Sequence, residues 1–231
     1  MNIMKKILSC VLLLATFVLA TSCDKDENDA YPYGGREYVD LGLPSGTKWA
    51  TMNLGAARPI DVGDFYSWGE LFTKTQYDFS DYKFCTELNS IGAVKTLDKY
   101  GDKGDYGVLD HVTQLDEADD VAAQLWGDGW RMPTLDDINE LLENCEIQFG
   151  VLNGKQGTTF IGPNGTSIFL PLTGTRFQGN LEYEMRGYYW SSTLDDETDR
   201  CAKGLFISAK FNMVGKLFTR CSGRCIRPVH D

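Results

Sequence analysis

Four carboxylates stand within five residues at Asp195, Asp196, Glu197 and Asp199. Clustered carboxylates offer oxygen ligands to a hard cation such as calcium, which makes this segment a candidate cation loop. A solvated acidic loop is the simpler reading, because the spacing matches no defined calcium motif. Of the seven cysteines, five lie beyond residue 30: Cys85, Cys145, Cys201, Cys221 and Cys225. An odd number leaves at least one thiol unpaired. Cys221 and Cys225 do not have zinc-site spacing, and His111 and His230 are the only two histidines. With so few imidazoles there is no Ser/His/Asp set, and no glycine-rich phosphate cradle is present.

The first residues address location. Lys5 and Lys6 precede an apolar stretch, residues 7–19, too short to span a bilayer, and Ala20-Thr21-Ser22-Cys23 follows. The segment resembles a bacterial lipoprotein signal, in which residues 1–22 are removed and Cys23 becomes the acylated N-terminus. Leu19 stands one place farther from the cysteine than usual. Asp24-Lys25-Asp26-Glu27-Asn28-Asp29 opens an acidic tether over residues 23–35. An acidic run directly after the acylated cysteine looks like the surface-export signal of Bacteroides-type lipoproteins. The expected location is therefore the outer face of the outer membrane, with lipid as the only membrane attachment.

Removing the two signal lysines from 22 basic residues leaves 20 against 33 acidic ones. That balance argues against nucleic acid and against docking on anionic lipid. Residues 36–231 suffice for one domain with a full core.

Within it, residues 37–43 alternate, Pro44-Ser45-Gly46 turns, and residues 47–54 resume, which predicts a hairpin. Residues 71–112 are polar and weakly patterned and read as long loops. Leu115, Ala118, Val121, Ala122 and Leu125 fall at helical spacing behind Asp116, Glu117, Asp119 and Asp120. A second helix is predicted from Thr134 as cap through Ile138, Leu141, Leu142 and Cys145. Residues 158–161 and 166–170 flank the turn Gly162-Pro163-Asn164-Gly165, and further strands are expected over 188–192, 202–208, 215–219 and 224–229. Early helices and late strands predict an α+β class.

Several blocks now resemble one family. Val39-Asp40-Leu41-Gly42-Leu43-Pro44-Ser45-Gly46-Thr47-Lys48-Trp49-Ala50-Thr51, trailed by Asn53-Leu54-Gly55-Ala56, resembles the opening of the Fibrobacter succinogenes major paralogous domain family. Tyr66-Ser67-Trp68-Gly69-Glu70, residues 115–122, Trp126-Gly127 and Trp130-Arg131-Met132-Pro133-Thr134 follow in family order. So do Gly162-Pro163-Asn164-Gly165 with Ile168-Phe169-Leu170-Pro171, Tyr189-Trp190-Ser191-Ser192, and Arg227-Pro228-Val229. Met52 and Cys225 depart from the pattern, so disulfide connectivity does not transfer. Cys201 and Cys221, in neighbouring late strands, are the candidate pair.

The resemblance implies a C-type-lectin-like fold with first and last strands paired and one irregular loop face. It implies a non-catalytic binding or adhesion module for glycan, protein or matrix. A structural component of a surface or fimbrial assembly is the alternative. Calcium-lectin triplets are missing, and the turn at Gly162 lacks the flanking acid. Formylglycine-generating enzymes share the fold and bind copper through a late cysteine pair. Cys221 and Cys225 occupy a comparable place with different spacing, which makes a copper-dependent thiol oxidase the enzymatic alternative. Trp49, Trp68, Trp126, Trp130 and Trp190 are expected in the core, with Arg131 and Arg227 as buried hydrogen-bond organisers. On the irregular face, residues 172–187 and 193–200, the candidate ligand contacts are Arg176, Tyr183, Asp195 and Asp196.

Overall fold

The runs on either side of Pro44-Ser45-Gly46 fold back on each other, as their turn chemistry dictates. Strand β1 (Tyr38–Val39) pairs antiparallel with β2 (Lys48–Ala50), setting Val39 opposite Trp49. Gly46, at φ +79°, donates its N–H to the Leu43 carbonyl, a left-handed conformation glycine adopts without steric cost. The computed structural model describes residues 36–127 and 129–231; the signal, the tether and Cys23 lie outside the described residues.

The segment read as loops carries a strand pair, β3 (Cys85–Leu88) with β4 (Val94–Leu97). Its strands are short and largely polar, so no apolar alternation announces them. The Asn89 side chain makes the turn instead, accepting the N–H groups of Ile91 and Ala93.

Helix α1 (Val121–Trp126) is shorter than the periodicity suggested. The Asp120 carboxylate accepts the N–H groups of Ala122 and Ala123 and so caps the helix there, after a 3₁₀ turn at Glu117–Asp119. Strand β5 (Trp130–Arg131) follows, then α2 (Leu135–Asn144). Thr134 and Asp137 exchange side-chain and backbone bonds as a capping box, and Ile138 and Leu141 are buried.

The rest of the chain is strand-rich. A meander of β6 (Glu146–Leu152), β7 (Lys155–Ile161) and β8 (Ser167–Pro171) is followed by the small hairpin β9 (Thr175–Phe177) and β10 (Asn180–Glu182). A second meander comprises β11 (Gly187–Leu194), β12 (Cys201–Ile207) and β13 (Asn212–Thr219). Strand β14 (Val229–His230) closes the chain.

The architecture is mainly antiparallel strands with two α-helices among the described residues. Two expectations are corrected. The helices do not come early: β1 to β4 precede them, because the polar segment folds partly as strands. The last strand pairs with β2 and β5 rather than with the first, in the order β1-β2-β14-β5. Trp49 lies between Val39 and Val229, leaving β1 at the edge.

The turn at Gly162 ties the first meander to the N-terminal strand. Asn164 donates to the Asp40 carbonyl at 2.8 Å, and a Cβ on Gly162 would lie 2.0 Å from the Leu41 oxygen. Trp49, Trp68 and Trp190 are fully enclosed, and Trp130 nearly so, whereas Trp126 is half-buried. Trp68 and Trp190 donate their indole N–H groups to the Ser191 and Tyr66 carbonyls, locking two distant segments together. Arg227 is buried and donates to Asn53, Ala50, Thr51 and Phe169, while Arg131 sits nearer the surface between Asp137 and Asp231. No helix among the described residues is long and apolar enough to cross a membrane.

Candidate functional site

The acidic loop after β11 is built for structure. Asp195 is buried, and its oxygens accept the N–H groups of Glu197 and Leu217 at 2.9 and 3.0 Å. Asp199, also buried, accepts N–H groups from Asp102, Lys103 and Gly104 at 2.8–3.1 Å. Asp196 pairs with Lys203 at 2.8 Å, and Glu197 lies 3.8 Å from Lys216. The four carboxylates therefore face four separate partners rather than one cation. Among the described residues no three His, Cys, Asp or Glu side chains converge as a metal group. With Asp195 and Asp199 already committed to backbone N–H groups, this geometry lends no support to calcium at Asp195, Asp196, Glu197 and Asp199.

The expected pairing of Cys201 with Cys221 is not seen. Cys201 and Cys221 are free thiols. The residue opposite Cys201 is Thr219, and Cys221 lies two positions beyond it, outside the ladder. Cys221 and Cys225 are both fully buried, in different core clusters. Burial pushes the Cys201 thiol up to about 11 and those of Cys221 and Cys225 higher still. All three stay protonated at neutral pH and are poor nucleophiles and ligands.

A different place gathers uncommitted groups. A cleft of about 560 Å³ opens between the β6–β7 turn and the β9–β10 hairpin. Its apolar surface comes from Val62, Phe65, Leu172 and Leu181. Phe65 is held by the buried Tyr77, whose hydroxyl donates to the Phe65 carbonyl at 2.9 Å. Arg176 and Leu181 are cross-strand partners on β9 and β10. The Arg176 backbone exchanges two 2.8 Å bonds with Gly223, which fixes where the side chain leaves the strand. Its guanidinium lies 5.0 Å from the centre of the Phe65 ring, a cation–π contact.

Besides Thr173, whose hydroxyl is bonded to the neighbouring backbone, four polar side chains line this cleft: Arg176, Lys155, Gln156 and Glu184. Among the described residues none of them makes a side-chain hydrogen bond or an ion pair. They contrast with the acidic loop, where the oxygens of the buried Asp195 and Asp199 are committed to backbone N–H groups.

Of the four expected contacts, Arg176 lines the cleft. Tyr183 borders it, one residue before Glu184, with φ +53°, 58% exposure and the Arg186 guanidinium 5.4 Å over its ring. Asp195 and Asp196 are not part of the cleft wall. Phe65, Lys155, Gln156, Leu181 and Glu184 carried no signal in the sequence, since only the tertiary fold collects them. Comparison of the chain with protein-family models, with curated proteins and with solved structures gives no match.

Proposed function

We propose that this chain is a lectin-like, non-catalytic binding module of the major paralogous domain type, held outside the outer membrane by acylated Cys23. The ligand is a glycan or an extracellular protein segment, taken into the Arg176 cleft.

The observation that carries the reading is the coexistence, in one cleft, of partly exposed apolar surface and four polar side chains that make no hydrogen bond or ion pair. Buried charges are normally committed to fixed partners, as at Asp199, so polar groups left unengaged beside apolar surface fit a role in recognition. The C–H face of a sugar ring packs against the exposed Leu181. Its hydroxyls accept from Arg176, Lys155 and Gln156 and donate to Glu184. No cation is needed for such contacts. The binder reading is favoured over the thiol oxidase because burial keeps Cys221 and Cys225 protonated and out of reach of solvent.

Glycan and matrix-protein arrays probed with the full mature chain test this reading. Arg176→Ala should weaken the captured ligand by at least about tenfold without shifting the melting temperature, as expected for a buried charge-assisted contact. Unchanged binding by that variant, or turnover of the bound molecule, would overturn it. Cys23→Ala should release the protein from the membrane fraction, and retention of that variant in membranes would refute the anchor.

A further inference from the structure

An unpaired strand edge presents a row of N–H and C=O groups that templates another strand. The first meander ends in such an edge at β6. Leu152 and Lys155 close a two-residue turn whose members, Asn153 and Gly154, have φ +44° and +79°. This is the left-handed pair of a type I′ hairpin. Its closing residues exchange both hydrogen bonds, so alternation directs Gly150, Gln148 and Glu146 toward β7 as well. The N–H and C=O groups of Ile147, Phe149 and Val151 then point away from the sheet. No described residue bonds to them.

The usual edge protections are missing. Register with β7 is unbroken over the seven residues, and the strand has no proline and no lysine; its one charge, Glu146, stands at the end. Phe149 and Val151 are 36% and 66% exposed. The two long edges of the second meander are protected: β11 is bridged by Gln114, Gly174 and Cys225, and along β13 the ladder shifts register, Leu217 turns to φ +56°, Lys216 interrupts it, and Asp195 occupies the Leu217 N–H.

We propose that β6 is a homodimerisation edge, pairing antiparallel with β6 of a second copy about a twofold axis at Phe149. The strand is self-complementary in that register. Phe149 meets its counterpart, and Ile147 meets Val151 in both directions, so every outward-facing residue is paired. Shifting the axis by one residue leaves one of them without a partner, and shifting it by two leaves two. Glu146 falls opposite Leu152 of the second copy and no like charges meet. Lys155 of that copy lies next across on the same face, two strand spacings or roughly 9.6 Å away. A long lysine side chain spans much of that gap. The two meanders become one continuous sheet.

The experiment uses the full mature chain in detergent. Sedimentation over a concentration series should show a monomer–dimer equilibrium. Phe149→Cys should oxidise to a covalent dimer, because a directly opposed hydrogen-bonded pair has Cα atoms about 5.5 Å apart, within disulfide range. Gly150→Cys should not, because its opposite residue is Gln148; a Cβ at Gly150 meets nothing within 4 Å, so that control folds. Val151→Lys, at the more exposed site, should weaken dimerisation by at least about tenfold through the charge it places on the edge. A monomer at all concentrations, equal cross-linking at 149 and 150, or a dimer indifferent to Val151→Lys would each overturn the proposal. So would a 1:1 complex with an unrelated strand-donating protein in the absence of any self-association.

Discussion

The core around Trp68 and the core around Phe160 both bury large apolar side chains, yet different forces hold the chain around them. The Phe160 core rests on strand ladders and on α2, whose Ile138 and Leu141 fill it. Its backbone groups are satisfied locally by the meander. The Trp68 core is wrapped by irregular chain between residues 79 and 119, where few ladders exist. There the backbone is satisfied by buried charges. Arg220 donates to the Tyr82 hydroxyl and to the carbonyls of Lys99, Tyr100 and Asp199, with its guanidinium 4.9 Å from the Trp68 ring. Asp199 accepts the N–H groups of residues 102–104 from the other side. Asp119 accepts from Lys83, Lys99 and the Tyr100 hydroxyl. A charged side chain that makes several bonds at once can order chain that no periodicity organises.

The largest break in this comparison should come from Arg220→Met. Removing the donors leaves buried carbonyls unsatisfied, at a cost of about 3–5 kcal/mol, read by urea denaturation. Hydrogen exchange should accelerate first at residues 98–106; a loss under about 1 kcal/mol would mean that aromatic packing alone orders those loops.

In the ladder core, Leu141→Ala should cost about 2–4 kcal/mol through lost transfer energy and a cavity. Its exchange changes should spread over both meanders rather than localise.

Acid should separate the two regions as well. Burial raises the Asp119 pKa, but Lys83, Lys99 and Tyr100 outweigh it and hold the carboxyl below its ordinary 3.8. A carboxyl depressed in the folded state stabilises above its unfolded pKa and loses that contribution as pH falls through the folded value. Stability should therefore drop below about pH 4, with Asp119→Asn separating the Trp68 share from that of Asp137, likewise held low at the α2 cap. Asp119→Asn should flatten that part of the pH profile measured by thermal melting.

The smallest effect is expected at Arg224, the counterexample among the buried arginines. Its Nε and Nη1 have no hydrogen-bond partner, and it stacks on Tyr188, Trp190 and Phe218, the last at 3.9 Å. Because ring contacts only partly offset its desolvation, Arg224→Met should change stability by less than about 1 kcal/mol in either direction. A loss as large as that at Arg220 would show that ring stacking anchors this core as firmly as carbonyl bonds do.

Local chemistry was legible wherever one short segment contained the whole cause. The capping box at Thr134 and Asp137, the Gly162–Gly165 turn and the hairpin around Pro44 form as their residues dictate. The tryptophans were readable because their area makes exposure costly. The β3–β4 hairpin was not, since its strands are polar and its turn depends on one Asn89 side chain. The burial of Asp195 and Asp199 was not legible for a related reason: a cluster of acids reads as a solvated loop, while the groups that bury these two, Leu217 and residues 102–104, are remote in the chain.

By themselves, the residues determined the turns, the caps, the apolar inventory and the strand-rich character, because those follow from backbone preferences and spacing within a few positions. Only the tertiary structure decided which polar groups would be consumed and which left free. Arg176 and Arg220 are the same residue type in β-rich surroundings, yet one stacks on the Phe65 ring at the wall of a cleft while the other meets carbonyls from two distant segments. That outcome depends on which distant backbone groups arrive beside each side chain, a quantity no local pattern encodes.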